Sequence, residues 1–232
     1  MPQSDVALDH APGDDPTPAM TATSYAVLGL LAMHEWTTYE LTHQMARSFS
    51  YFWPRAERRI YDEPKRLAAA GYATARKENV GRRPRTCWQI TAAGRQALRD
   101  WLAQPPMNPP VLEFEGMVKV FLAENGSKTD LLASLDAIQD SAIRRGEALA
   151  AMCREVADSA GGQFPDRVHI NALAMSYSIG LAEFTRRWAQ EAAASAAGWR
   201  GTSAPGAEAR KAALDYFEDR AGSLMPAKSQ PA

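Results

Sequence analysis

The chain has 232 residues, 46% of them apolar and 23% charged, enough for one large domain or two modest ones and too apolar for a disordered tail. Its 26 Lys+Arg almost cancel its 27 Asp+Glu, so any basic surface that coats an anionic partner must be local. Cys87 and Cys153 stand far apart without CxxC or Cys/His spacing, which argues against a disulfide framework and a zinc site, and for a reducing compartment.

Residues 1–20 carry four acidic residues, four prolines and no Lys or Arg. They lack both the charged and the apolar region of a secretory signal and read as a disordered leader, with translation starting at either Met1 or Met20. The longest apolar stretch that follows, 25–33, has nine residues against the roughly 20 of a membrane span. No membrane partner and a cytoplasmic location are therefore expected.

Charge is uneven behind the near-zero total. Residues 21–104 hold 13 basic and 7 acidic groups, residues 105–200 hold 9 and 12, and residues 201–232 hold 4 of each. A basic module at 21–104 is thus joined to a slightly acidic one at 111–200 through 105–110, where four prolines in the six residues cannot continue a helix.

Within the first module, Ser24 to Met33 is apolar on most sides, as a short buried helix is. Thr37 can cap a second helix, with Glu40 three residues on to complete a capping box. A third helix is predicted over 54–70, bearing Arg55, Arg58 and Arg59 with Ile60 and Leu67 on one face, and Gly71 stands where a helix ends in positive φ. Two short strands, 72–78 and 86–91, flank a basic, Gly-containing tip and form a hairpin. A helix after Thr91 carries Leu98, Trp101 and Leu102 as its buried stripe. Helix, helix, basic helix, hairpin, helix is the order of a winged helix-turn-helix, in which one helix enters the major groove and the hairpin reaches beside it.

The strings Tyr25-Ala-Val-Leu-Gly-Leu-Leu, Tyr39-Glu-Leu41, Ile60-Tyr61, Lys65-Arg66-Leu67, Gly71, Gly81-Arg82-Arg83-Pro84-Arg85 and Ile90-Thr-Ala-Ala-Gly94-Arg95 resemble the PadR family of transcriptional regulators over residues 24–102. The resemblance implies a winged helix that binds operator DNA as a dimer, with no cofactor. It puts Tyr61 and Lys65 on the recognition helix, Tyr39 near the DNA backbone, and Arg82, Arg83 and Arg85 in the wing. Together with Arg55, Arg58, Arg59 and the hairpin's Lys77, these form the expected DNA-binding set. Pro64 departs from the family, which carries an apolar residue such as Leu there. Inside a helix a proline costs ~3 kcal/mol, so either the helix bends or it begins effectively at Pro64.

In the second module a short helix is predicted over 111–124, then a long one capped by Ser127. Leu131, Leu135, Ile138, Ala142, Leu149, Met152 and Val156 follow steps of four and three, a coiled-coil seam broken at Arg145. After Gly161-Gly162 and Pro165, a third helix carries Ile170, Leu173, Tyr177, Leu181, Phe184 and Trp188 as its stripe. The fold class is mainly α: a winged helix-turn-helix with a two-stranded wing, then a coiled-coil-like helical dimerisation domain. One hairpin cannot cover both its apolar faces, so a homodimer through Leu131, Leu135, Ile138, Leu149, Met152, Leu173 and Leu181 is expected, the other reading being a self-contained monomer core. Residues 201–232 form a tail with a short helix near Leu214, Tyr216 and Phe217.

Four histidines without ligand spacing, and no GxSxG, GxGxxG or P-loop string, speak against metal, hydrolase and nucleotide chemistry. No enzyme is expected. Trp101, Tyr177, Phe184 and Trp188 are either plain core or the lining of a pocket for a small apolar or phenolic effector. The expected function is a repressor of transcription on a palindromic operator, with half-sites roughly 34–36 Å apart. The alternative is a winged-helix module that sequesters a ligand or binds a protein without reading DNA.

Overall fold

The computed structural model describes residues 20–53, 60–80, 83–106 and 108–223. The chain divides into two compact units, one up to Pro109 and one from Pro110.

The first unit opens with α1 (Ala22–Met33), whose capping box joins Thr21 and Ser24. Val27, Leu28, Leu30 and Leu31 are all buried, so α1 is the axle of a small core. Next, the short β1 (Trp36–Thr37) is anchored by the Trp36 indole N–H, which donates to the Leu30 carbonyl at 2.8 Å. Thr37 then caps α2 (Thr38–Phe49) with the expected box. Its hydroxyl accepts from the Glu40 N–H, and the Glu40 carboxylate accepts from the Thr37 N–H at 2.9 Å.

The third helix differs from the expectation over 54–70. Residues 54–59 lie outside the described residues, Ile60 to Asp62 form a turn, and α3 runs only over Glu63–Ala69. Pro64 explains the start. In the first turn of a helix the missing N–H loses no intrahelical bond and the fixed φ suits the helix, so the proline sets a beginning and not a kink. Tyr61 accordingly stands in the turn ahead of α3 instead of on the helix. Gly71, at φ 77°, ends the helical stretch in the left-handed region, and the next N–H, of Tyr72, returns to the Leu67 carbonyl at 2.9 Å.

Strands β2 (Ala73–Val80) and β3 (Arg83–Ile90) pair antiparallel from Ala73↔Ile90 to Val80↔Arg83. A sheet of three strands results, in the order β1-β3-β2, because β1 joins β3 at Trp36↔Trp88. Two residues are too short to show alternation, which is why the sequence shows only the hairpin. Cross-strand partners share a face, so Ala73, Trp88 and Ile90 turn to the core while Arg76, Glu78 and Arg85 share the other side. Thr91 caps α4 (Ala92–Leu102). Gly94, at its start, is packed so closely that a Cβ would strike the Tyr72 carbonyl oxygen and come within 2.9 Å of Ile90 Cγ1.

In the second unit α5 (Glu115–Phe121) is shorter than the expected 111–124 and passes through a 3-10 turn at Ala123–Asn125. The long helices α6 (Lys128–Asp158) and α7 (Val168–Ala197) pack along each other. They run antiparallel: Lys128, at the start of α6, donates to the carbonyls of Ala197 and Trp199 at the end of α7, at 3.0 and 2.8 Å. Leu131, Leu135, Ile138, Ala142 and Leu149 point inward from α6 as the seam predicts. On α7 a different stripe from the expected one turns inward, namely Ser178, Ala182, Ala189 and Ala196. Small residues let α7 approach the leucines of α6 closely, and that displaces Ile170, Leu173, Tyr177 and Phe184 to the exposed side. Finally, α8 (Ala207–Ser223) extends the expected short helix to 17 residues and buries none of them. Among the described residues no helix is long and apolar enough to cross a membrane.

Candidate nucleic-acid interface

Three places in the first unit bring the expected contact residues to the surface. At the N-terminus of α2, Tyr39 is 74% exposed. It shares a hollow of about 420 Å³ with Thr37, Thr38 and Glu40 of the same turn and with Arg85 and Thr86 of β3. The sequence-distant Tyr39 and Arg85 are thus brought together. At the start of α3, Tyr61 and Lys65 are both exposed, Lys65 in a solvent-facing pair with Asp62 at 3.3 Å that contributes little. The third place is the wing.

There the arginines are not simple spikes of charge. Arg85 grips the Glu78 carboxylate with Nε at 3.0 Å and Nη2 at 2.9 Å, and Arg76 pairs with the same carboxylate while donating to Glu35 at 2.7 Å. The Arg85 bonds, with a further one from the Cys87 thiol, hold the Glu78 carboxyl below the ordinary carboxylate range. Burial and the nearby Glu78 push the Cys87 thiol up, which leaves it a poor nucleophile. The N–H and hydroxyl of Thr37 likewise lower the Glu40 carboxyl. Lys77 lies on the wing face opposite Arg85 and is exposed. The expected set therefore splits between two faces of the wing.

Arg55, Arg58, Arg59 and Arg82 fall outside the described residues, and Arg83 opens β3 with its side chain outside them. The acidic partners Glu35 and Glu78, and the arginine Arg76 between them, escaped sequence reasoning. Strand register sets Glu78 directly opposite Arg85, whereas Glu35 precedes β1 and meets Arg76 only through the fold. Exposed tyrosines and cations can donate to phosphate oxygens and base edges, and no cluster of three metal-ligating side chains occurs among the described residues.

The profile of the PadR-like family of transcriptional regulators matches residues 27–100. The first unit is a PadR-like domain. The negative transcriptional regulator PadR of Bacillus subtilis is 31% identical over 103 residues, which are 44% of this chain and 57% of that protein, so the alignment spans little more than half of the relative. The crystal structure of B. subtilis PadR in complex with operator DNA is 22% identical, with a TM-score of 0.66 over 76% of this chain and 99% of that one. That of B. subtilis PadR in complex with p-coumaric acid is 23% identical, with a TM-score of 0.61 over 79% and 98%. The PadR-like fold, a winged helix followed by a helical region, is thereby shown, and the family is one of transcriptional regulators and not of enzymes.

The remaining expected residues sit as follows. Trp101 stacks flat on Tyr25 within the first unit, ring centroids 4.7 Å apart. Tyr177 and Phe184 are exposed on α7, while Trp188 packs on the cluster of Leu131, Leu135 and Ala196 and serves as core. The hollow of the second unit, about 390 Å³, is lined by Val118, Leu122, Ala123 and Leu131 among others, and not by these aromatics. Of the expected dimer contacts, Leu131, Leu135, Ile138 and Leu149 are buried inside the chain's own hairpin, Met152 and Leu181 are half-buried, and Leu173 is 69% exposed.

Proposed function

We propose that this chain represses transcription by binding a palindromic operator as a homodimer, with release by a small apolar or phenolic effector. The observation that carries the reading is the match of its fold to a PadR bound to operator DNA across 99% of that chain. The exposed Tyr39, Tyr61, Lys65 and Lys77 support it, since they supply donors for phosphates and base edges on the unit that carries the family domain. The wing arginines, including Arg82 and Arg83, neutralise phosphates, while the turn before α3 and α3 itself read bases.

The dimer contact lies on the face of α7 that carries Leu173 and Tyr177, left open because the small residues of α7 face α6. The phenolic class of effector is supported by the p-coumaric acid complex of the B. subtilis protein. Pro64 sits in the first turn of α3, where its missing N–H loses no intrahelical bond, and so does not favour a module that does not read DNA. Gel-shift and footprint on the DNA upstream of the chain's own gene test the proposal. A protected site with two-fold symmetry, vacated on adding a phenolic acid, is the expected result; equal affinity for unrelated DNA contradicts it.

A further inference from the structure

Helix α3 has seven residues, no side-chain cap at Asp62, and a buried acid, Glu63, at its first position. A carboxylate leaves water only where other partners replace it. Arg66, one turn on, does so with both prongs of its fork, Nε to Oε2 at 3.2 Å and Nη2 to Oε1 at 2.6 Å. The same Nη2 donates to the Ser24 hydroxyl at 2.6 Å. Ser24 is fully buried in α1, where its hydroxyl oxygen also accepts from the Thr21 N–H at 2.9 Å and so completes that helix's cap. A continuous line of polar contacts therefore runs from the first turn of α3 to the first turn of α1.

Ile60 and Leu67 are buried on either side of this tie and hold α3 to the core, but apolar contacts are non-directional and leave rotation about them weakly restrained. So short a helix gains little rigidity from its own hydrogen bonds. We propose that the Glu63–Arg66–Ser24 tie fixes the rotation of α3 on α1, and so the presentation of Tyr61 and Lys65, and that Arg66 is a positioning residue and not a phosphate contact. The Arg66 side chain is 28% exposed, whereas that of Lys65 beside it is 68% exposed. Because the tie depends on a planar fork that bonds two residues at once, lysine is no substitute for Arg66.

This inference rests on the DNA-binding reading above. Its test begins with the full chain enriching a preferred duplex from random-sequence DNA. Affinity for that duplex and for poly(dI-dC) is then followed by fluorescence anisotropy across salt concentrations, for the parent, Glu63→Gln and Arg66→Lys, at a temperature where thermal melts show each folded. Both variants are expected to lose about tenfold or more on the preferred duplex. On poly(dI-dC) they should stay within about twofold of the parent, with the salt slope unchanged. Simple electrostatics predicts the opposite for Glu63→Gln, which removes a negative charge and would tighten binding. A phosphate contact predicts near-parental behaviour for Arg66→Lys, which keeps its charge. Either of those results overturns the inference. A parent that enriches no duplex overturns the DNA-binding reading itself, an outcome distinct from variants that match a binding parent.

Discussion

In the first unit the large side chains left in water include Tyr39, which shares a hollow with Arg85, and Tyr61, four residues before Lys65, and both carry a polar handle. In the second they include Val118, Phe121, Leu122, Ile170 and Leu173, which offer carbon alone. Exposed aromatics with a donor suit a wet, anionic partner, whereas an exposed aliphatic face calls for another apolar surface. The contrast has a structural origin. The first unit spends its aliphatic residues on a core around α1, and its charged wing is held in shape by Glu78. The second closes its hairpin with alanines on α7, and that choice leaves the bulky residues of the same helix outside.

Substitutions at two leucines of the helical unit probe this contrast most strongly. Leu135→Ala removes a fully buried side chain from the cluster with Leu131 and Ala196 and should cost about 2–5 kcal/mol in chemical denaturation. Leu173→Ala, on the exposed face, should leave monomer stability within about 0.5 kcal/mol while weakening self-association in sedimentation. Equal effects of the two on stability would mean that the inner and outer faces of the hairpin have been confused. In the winged unit Gly94→Ala should cost about 1–3 kcal/mol in thermal unfolding, because the new methyl meets the Tyr72 carbonyl, a backbone group that accepts from the Thr91 N–H.

The smallest effect concerns acid. Glu78 has a folded pKa below its unfolded value. Its contribution is therefore present above the unfolded value and is lost as pH falls through the depressed one. Glu78→Gln should flatten that part of the acid limb in a pH series of unfolding midpoints. An unchanged limb would show that the Arg76 and Arg85 pairs do not shape the wing.

Features set by neighbours in the chain were legible in the sequence. The Thr37–Glu40 box, the Thr91 and Ser127 caps and the left-handed Gly71 each depend on a few adjacent residues, and each stands where the pattern puts it. Features set by packing choices were not. Helix α7 carries two stripes offset by one residue, the large Tyr177, Leu181 and Trp188 beside the small Ser178, Ala182 and Ala189, and hydrophobicity alone favours the large one. Only the closeness of α6 selects Ala182, Ala189 and Ala196. Similarly, the motifs point to Tyr39 and Lys65, whereas the pairing of Glu78 with Arg85 depends on strand register, and the hold on Arg66 depends on a contact with the Ser24 hydroxyl that spans 42 residues of sequence. Pro64 shows the intermediate case: the residue signals a boundary, but which side of it the helix occupies is decided by the buried Leu67 and the turn at Ile60.

Whether the basic unit grips a duplex is read from the salt dependence of its binding to the footprinted upstream fragment. If the wing and α3 neutralise about 6–10 phosphates, affinity should fall on the order of 10³–10⁵-fold between 50 and 200 mM salt. A flat response across that range would contradict the claim that this basic unit grips a DNA duplex.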